Sequence, residues 1–313
     1  MLIALRKYPE KYLRALPGVG GGIGFLFRLA DRNGYLSDLL ADPQRMWEKR
    51  RLYSLIRREF FNLETPLVSV IIATRNNADT IELAIRSLQM QSVSNLEIVV
   101  IDDASGDGTG DIVKSLQKSD PRIRYFRSLK ARGTGRSRNR GLAICTGTYV
   151  TFQDGDDFSH PLRIEKQLLA LTKSNTAKVS YCNYARVSRD GRRLAVNGAR
   201  IRRCIISMMF LKDDALEKVG YFRGESISED SDYSERLKIA FGPEASVTVF
   251  RTLYEALYRP TSTFFSHGHS SLNDGRKVNF QPNGALIKSV EEMKIRHAQM
   301  LSGELSTFSP YCE

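Results

Sequence analysis

The chain has 313 residues, 42% of them hydrophobic and 26% charged, and its 47 basic against 35 acidic side chains leave a net charge of +12. A chain of this length buries a sizeable core in one large or two modest domains, and the composition is that of an ordinary globular protein. Its charge favours an anionic partner, whether nucleic acid, anionic lipid or a phosphorylated substrate, without choosing among them.

No apolar run approaches the roughly 20 residues that cross a bilayer. The opening MLIALRKYPEKY sets its charges after a very short apolar stretch, unlike a secretory signal. The cysteines (Cys145, Cys182, Cys204, Cys312) lack metal-ligand spacing and are expected as reduced thiols. A cytoplasmic location is the expectation, with attachment at the inner face of the plasma membrane as its variant.

Residues 1–64 read as a basic helical extension. A glycine cluster, GVGGGIGF, precedes Asp42-Pro43, a cap and first turn for a helix with Trp47, Leu52, Leu55, Ile56 and Phe60 near one face. Residues 43–61 either lie on an anionic membrane surface or pack on the main domain with a solvated basic side. From residue 65 apolar strands alternate with amphipathic helices: VSVIIAT, ADTIELAIRSLQM, LEIVVID, a helix through Ile112, Val113 and Leu116, IRYF, a helix opened by GRSRNRGLAI, and TYVTF. Strands without polar alternation imply a sheet covered on both faces, hence an α/β fold with a mostly parallel sheet flanked by helices. Ligands of such sheets bind beyond the carboxyl ends of the strands. That rule sets Thr74, Arg75, Asn76, Asp102, Asp103 and the acids of 154–157 along one rim.

Further on, the pattern predicts a helix from Pro161 to about Leu171, strands near 179–187 and 247–258, a short helix ending at Gly220, a longer one over EDSDYSERLKIA, and a helix over 283–303. The expected division is 1–64 extension, 65–275 catalytic domain and 276–313 helical tail.

FQDGDDFSH (152–160) packs Asp154, Asp156 and Asp157 at a strand end, where carboxylates repel one another. A solvated turn is one explanation. A divalent cation is the other, since Mg²⁺ and Mn²⁺ take one or two carboxylates plus substrate phosphates and stabilise a departing diphosphate.

The segment from PLVSVIIATRNNAD through IDDASGDGTGDIV, followed by RSRNRGLAICTGTYVTFQDGDD, resembles family-two glycosyltransferases of the GT-A (Rossmann-like) fold over roughly residues 66–165. Four motifs agree in order: V-S-V-I-I, I-D-D-x-S, R-N-x-G-L and D-x-D-D. A later stretch, LEKVGYFRGESISEDSDYSERL, resembles the G-x-F … E-D … R-L segment of that family.

The resemblance implies an inverting enzyme that uses Mn²⁺ or Mg²⁺ to move a sugar from a nucleoside-diphosphate donor, most often a uridine one, to a hydroxyl of a saccharide or glycolipid. Thr74, Arg75 and Asn76 would border the base, although many relatives carry an aromatic residue where this chain has Arg75. Asp103 would take a hydrogen bond from the base while Asp102 supports the turn. Arg138 would face the diphosphate, or else form a salt bridge to Asp102 or Asp103. Asp156 would hold the metal and Asp154 lie near the ribose or metal. Asp157 would be a supporting acid or a cap for the helix near Pro161. Asp230 would be the general base, with Glu229 contacting the acceptor or orienting the site, and Asp232 an exposed helix acid.

His269 is the implied metal or phosphate contact in the 259–273 segment, against a loop histidine in water. The Q-x-x-R-W motif of processive synthases is absent, since the sole tryptophan is Trp47, so non-processive transfer is expected. Competing readings are a nucleotidyltransferase, for which the loop ATRNNAD lacks glycine and lysine, and a nucleic-acid-binding module suggested by RGTGRSRNRG (132–141). A catalytically inert relative is the remaining alternative. No nucleic-acid partner is expected on the family reading.

Overall fold

The computed structural model describes residues 66–224 and 227–311. The expected extension over 1–64, with its basic helix, and Cys312 lie outside the described residues.

The parallel half of the sheet is built on β1 (Val68–Thr74) and β2 (Leu96–Asp102), both buried at every position. Successive side chains of a strand point to opposite faces. Along β1, Val68, Val70 and Ile72 enter one core while Ile71 enters the other, which is why the run is apolar without alternation. One core is closed by α1 (Ile81–Gln89) and α2 (Thr109–Ser119) through Ile81, Ile85, Leu88, Val113 and Leu116. After β3 (Ile123–Arg127), α3 (Thr134–Ile144) crosses to the opposite face and delivers the chain to β4 (Tyr149–Asp154), parallel to β1. Gly141 lets α3 lie directly on β1, because a Cβ there would collide with the Ile71 side chain.

β5 (Phe158–Ser159) leads into α4 (Arg163–Thr172), whose Ile164, Leu168 and Leu171 join the α1–α2 core. An antiparallel extension follows, built from β6 (Val179–Val187), β7 (Arg193–Val196) and β8 (Arg202–Leu211). Next come α5 (Lys212–Lys218), α6 (Glu229–Phe241) and the long β9 (Ser246–Leu257), parallel to β6. The short α7 (Thr263–Ser266), the hairpin β10 (Gly268–Asn273) and β11 (Lys277–Pro282), and α8 (Gly284–Leu301) complete the described chain. The sheet order is β10-β11-β7-β6-β8-β4-β1-β2-β3, with β9 paired to β5 and β6. It is a mixed sheet flanked by helices, parallel through β3, β2, β1 and β4.

The tail expected as helical from 276 opens instead with β11, which joins the sheet through β10 and β7. Its helix α8 is tied to α6 by His297 Nε2, 3.0 Å from Asp232 Oδ1, while Arg236 Nε donates to Asp232 Oδ2 at 2.8 Å. Asp232 is therefore not the exposed acid expected from sequence. It is fully buried; burial alone would raise its pKa, but the bonds from His297 and Arg236 overcome this and hold it below the usual aspartate value. No helix among the described residues is long and apolar enough to cross a membrane.

Candidate functional site

Strand register brings the expected rim together. Thr74 of β1 sits opposite Asp102 of β2, and Ala73 sits opposite Asp154 of β4, so three strands release their loops side by side. The chain bends sharply there: Asn76 and Ala104 adopt positive φ of 51° and 59°, and Ser228, just before α6, adopts 60°. Non-glycine residues rarely occupy this region, and they persist where surrounding bonds hold them. Here Asn76 N donates to Ser105 Oγ at 3.0 Å and Asn76 Oδ1 accepts from Gly106 N at 2.8 Å, locking the first two loops to each other. Arg75 between them is exposed.

Asp102 and Asp103 divide their work. Asp102 accepts from Ser105 N at 2.8 Å and from the Tyr125 hydroxyl at 2.6 Å, bracing its own turn. Asp103 accepts from Arg132 N at 2.8 Å and Gly133 N at 2.9 Å, so its carboxylate neutralises the amino end of α3.

The acidic turn after β4 has no spare room. A Cβ at Gly155 would stand 2.5 Å from Thr74 Oγ1 and 2.8 Å from Asn77 Nδ2, so only glycine lets this turn close on the β1 loop. Of its acids, Asp157 is not a helix cap. In the first turn of α4 it is Gln91 Oε1 that accepts from Ile164 N, at 3.1 Å, and Asp157 instead accepts from Leu257 N at 3.0 Å and the Tyr254 hydroxyl at 2.9 Å, fastening the turn to β9. Burial, with Asp156 and Asp154 adding their charge, pushes its carboxyl well above the aspartate range. The Tyr254 hydroxyl also accepts from Asp154 N at 3.1 Å.

Arg138 links this turn to the second acidic pair. It is only 4% exposed, and it reaches Asp154 Oδ1 at 2.9 Å and Glu229 Oε1 at 2.7 Å. The alternative for it, a salt bridge to Asp102 or Asp103, is not what forms: its partners are acids from β4 and α6. Burial alone would lower its pKa, but Asp154, Glu229 and Asp230 outweigh that and raise it, so the guanidinium is fixed as a cation. Glu229, at the first position of α6, is pushed up to about 7 by burial, with Arg138 opposing and Asp230 adding. Asp230 is half-buried, and its Oδ1 accepts from Ser231 N at 2.7 Å.

Asp156 extends this network of charged groups. Arg259 Nη2 lies 2.8 Å from Asp156 Oδ2 and 2.9 Å from Asn77 Oδ1. Burial pushes the Asp156 carboxyl up while Arg259 opposes. The run Arg259–Asp156–Asp154–Arg138–Glu229–Asp230 thus joins residues from the end of β4, α3, α6 and the chain just after β9 in one network. Arg259, Asn77 and Tyr254 were missed as site residues. An arginine directly after a long strand, just before Pro260, was the one signal in the sequence.

His269 is not joined to this group. It is exposed on β10, opposite Gln281 in the hairpin, and no hydrogen bond or ion pair connects it to the acids. Among the described residues no group of three or more His, Cys, Asp or Glu forms a metal cage. A cation that takes most of its oxygens from substrate phosphates and water needs only one or two carboxylates. Asp154 and Asp156 fit that requirement, because each commits one oxygen to an arginine, Asp154 Oδ1 to Arg138 and Asp156 Oδ2 to Arg259.

A family model described as Glycosyl transferase family 2 matches residues 69–224. The putative glycosyltransferase EpsH of Bacillus subtilis is 32% identical over 123 residues, 39% of this chain and 35% of that protein. The GalNAc(5)-diNAcBac-PP-undecaprenol beta-1,3-glucosyltransferase of Campylobacter jejuni is 44% identical over 93 residues, 29% of this chain and 30% of that protein. The putative teichuronic acid biosynthesis glycosyltransferase TuaG of Bacillus subtilis is 36% identical over 126 residues, 40% of this chain and 50% of that protein. The chain thus spans between 30% and 50% of the length of these relatives. In architecture it is similar to S. aureus TarS 1-349 in complex with UDP-GlcNAc, with a TM-score of 0.55 and 18% identity over 77% of this chain and 72% of that one.

Proposed function

The chain belongs to glycosyl transferase family 2, and on that premise we propose that it is an inverting, metal-dependent glycosyltransferase. It moves a sugar from a nucleoside-diphosphate donor, a uridine one by preference, to a hydroxyl of a saccharide or glycolipid acceptor in surface polysaccharide synthesis. The observation that carries this reading is the guanidinium of Arg138, bonded at once to Asp154 at the strand end and Glu229 at the start of α6. It ties the donor-side acids to the acid pair that the chemistry of the acceptor requires.

In this mechanism Thr74, Arg75, Asn76 and Asp103 border the base, and Asp154 and Asp156 would hold Mn²⁺ or Mg²⁺. Such an ion would supply charge stabilisation for the departing diphosphate. Asp230 takes the proton from the acceptor hydroxyl while that oxygen bonds to the anomeric carbon and the carbon–oxygen bond to the diphosphate breaks, which inverts the centre. Its Oδ1 is engaged by Ser231 N, which leaves Oδ2 to receive the proton. Glu229 orients Arg138, and Arg138 adds fixed positive charge beside the leaving group. The work is done at the inner face of the plasma membrane.

A thermal-shift panel tests this: UDP-, GDP- and CDP-sugars, each with and without Mn²⁺. The reading expects a metal-dependent rise in melting temperature with one nucleotide class, UDP foremost. No shift with any nucleotide sugar in the presence of Mn²⁺ would contradict it.

A further inference from the structure

The arginine-rich segment 132–141 supplies Arg138 to the acids, yet most of its charge points elsewhere. Two residues apart on a helix means near-opposite sides, so Arg136 and Arg140 lie on the face of α3 turned away from Arg138. There they line a cleft of about 460 Å³ with Arg127, Lys130 and Arg132, together with Ser128, Leu129, Ser137 and Tyr311. Five cations and no acid make up the charged lining.

None of the five is ion-paired among the described residues, unlike several other arginines of the chain. Arg122 is bound to Asp120, Arg124 to Glu97 and Arg259 to Asp156. Arg127 and Arg140 donate only to neutral oxygens, of Ser105, Ser128 and the Arg127 carbonyl. Unpaired like charges held together in a concave site raise the local potential and favour a multivalent anion.

A second observation points to a ligand. Ser137 lines the cleft, is 3% exposed, and its hydroxyl has no hydrogen-bond partner among the described residues. An unpaired buried hydroxyl carries a desolvation cost that a ligand oxygen would remove. The amino end of α3 is not what is on offer, since Asp103 already takes the amides of Arg132 and Gly133.

The far wall of the cleft is tied to the 219–224 segment, which leads towards α6. Residues 219–221 pair with the C-terminal segment, Tyr221 N donating to the Ser309 carbonyl and Ser309 N to the Val219 carbonyl, each at 2.9 Å. Tyr311 then packs edge-on to Tyr221 with ring centroids 4.9 Å apart. The Arg136 guanidinium lies against Gly224, where an added Cβ would stand 3.7 Å from its Nε. The chain runs from there into Glu229 and Asp230.

We propose that this cleft binds the phosphoryl or diphosphoryl group of an anionic acceptor, separately from the donor diphosphate. The assignment rests on the transferase reading above for the word acceptor, but not for the anion site itself. Among the described residues Lys130 and Arg136 make no side-chain hydrogen bond or ion pair, so their charge can be removed without breaking one of those bonds.

Calorimetric titration of the full chain with inorganic pyrophosphate in EDTA tests the site without any need for turnover. Wild type is expected to bind, with or without saturating UDP. Lys130→Gln/Arg136→Gln is expected to weaken that binding by at least about tenfold, and Ser137→Ala to weaken it measurably. Hydrolysis of donor sugar by the double variant should stay within about twofold of wild type. Vesicles of phosphatidylcholine with and without phosphatidylglycerol separate the sources: a discrete phosphate site prefers pyrophosphate, and pyrophosphate displaces it from the vesicles. Pyrophosphate binding that is absent, unaffected by the double variant, or abolished by UDP overturns the proposal, as does vesicle binding that pyrophosphate cannot displace. Should wild type hydrolyse no nucleotide sugar yet bind pyrophosphate through Lys130 and Arg136, the anion site stands and the transferase reading fails.

Discussion

Replacing Arg138 with methionine removes the one cation shared by Asp154 and Glu229 while keeping an unbranched apolar stem in the helix. Breaking a buried ion pair costs about 3–5 kcal/mol, because the partner is left charged and without water. Two facts pull the estimate to the lower end. Asp154 is 36% exposed in its side chain and can be hydrated. Glu229, already pushed up to about 7, escapes by taking a proton once Arg138 no longer opposes burial.

The expected cost at pH 8 is therefore about 3 kcal/mol. At pH 5.5 Glu229 is protonated in both proteins, so its share disappears, and about 1–2 kcal/mol is left from Asp154 and lost packing. The sign follows from linkage: a carboxyl raised in the folded state binds more protons folded than unfolded, so ionising it costs stability as pH rises towards 7 and beyond. Arg138 offsets that cost only where Glu229 is ionised. Urea unfolding of wild type and Arg138→Met at the two pH values gives both numbers. Equal destabilisation at pH 5.5 and pH 8, or less than about 1 kcal/mol at pH 8, would refute the bridge.

The other fastenings of the site make distinct expectations. Asp157→Ala strands the Tyr254 hydroxyl and Leu257 N–H and should cost about 2–4 kcal/mol in urea unfolding, whereas Asp157→Asn keeps an acceptor and should cost less than about 1.5 kcal/mol; similar losses for the two would contradict the assigned bonds. Gly155→Ala forces the acidic turn away from Thr74 and Asn77, so it should weaken metal-dependent donor binding at least about tenfold with little change in the far-ultraviolet spectrum. His297→Ala removes the tie between α8 and α6 and should raise hydrogen exchange in α8 before the sheet is affected.

The parallel half of the fold was legible because its strands are buried on both faces, so VSVIIAT and LEIVVID announce themselves without context. The antiparallel half was legible only in part: β6 and β9 were expected near 179–187 and 247–258, whereas β7 and β8 were not. RRCIISMMFL of β8 runs straight into α5 with no glycine or proline between them, and its methionines carry no strand preference. The hairpin of β10 and β11 hides in GHSSLN and KVNFQP, although Asp274 and Gly275, both at positive φ, are a turn signal that sequence offered.

In the site, the residue types at the rim were visible but their pairings were not. That Arg138 would choose Asp154 and Glu229 over Asp102 depends on α3 and α6 meeting across the sheet end, 91 residues apart in the chain for the second bond. Asp157 read as a supporting acid or a helix cap and Asp232 as an exposed helix acid, since short-range sequence carries no trace of Tyr254 or His297.

The most direct measurement is hydrolysis of UDP-sugar by wild type, Asp156→Ala and Asp230→Asn, each with Mn²⁺ and with EDTA. Turnover by wild type in Mn²⁺ alone, falling by at least about 100-fold in either variant, is the predicted result. Turnover that survives in EDTA, or that both variants retain, would contradict the account.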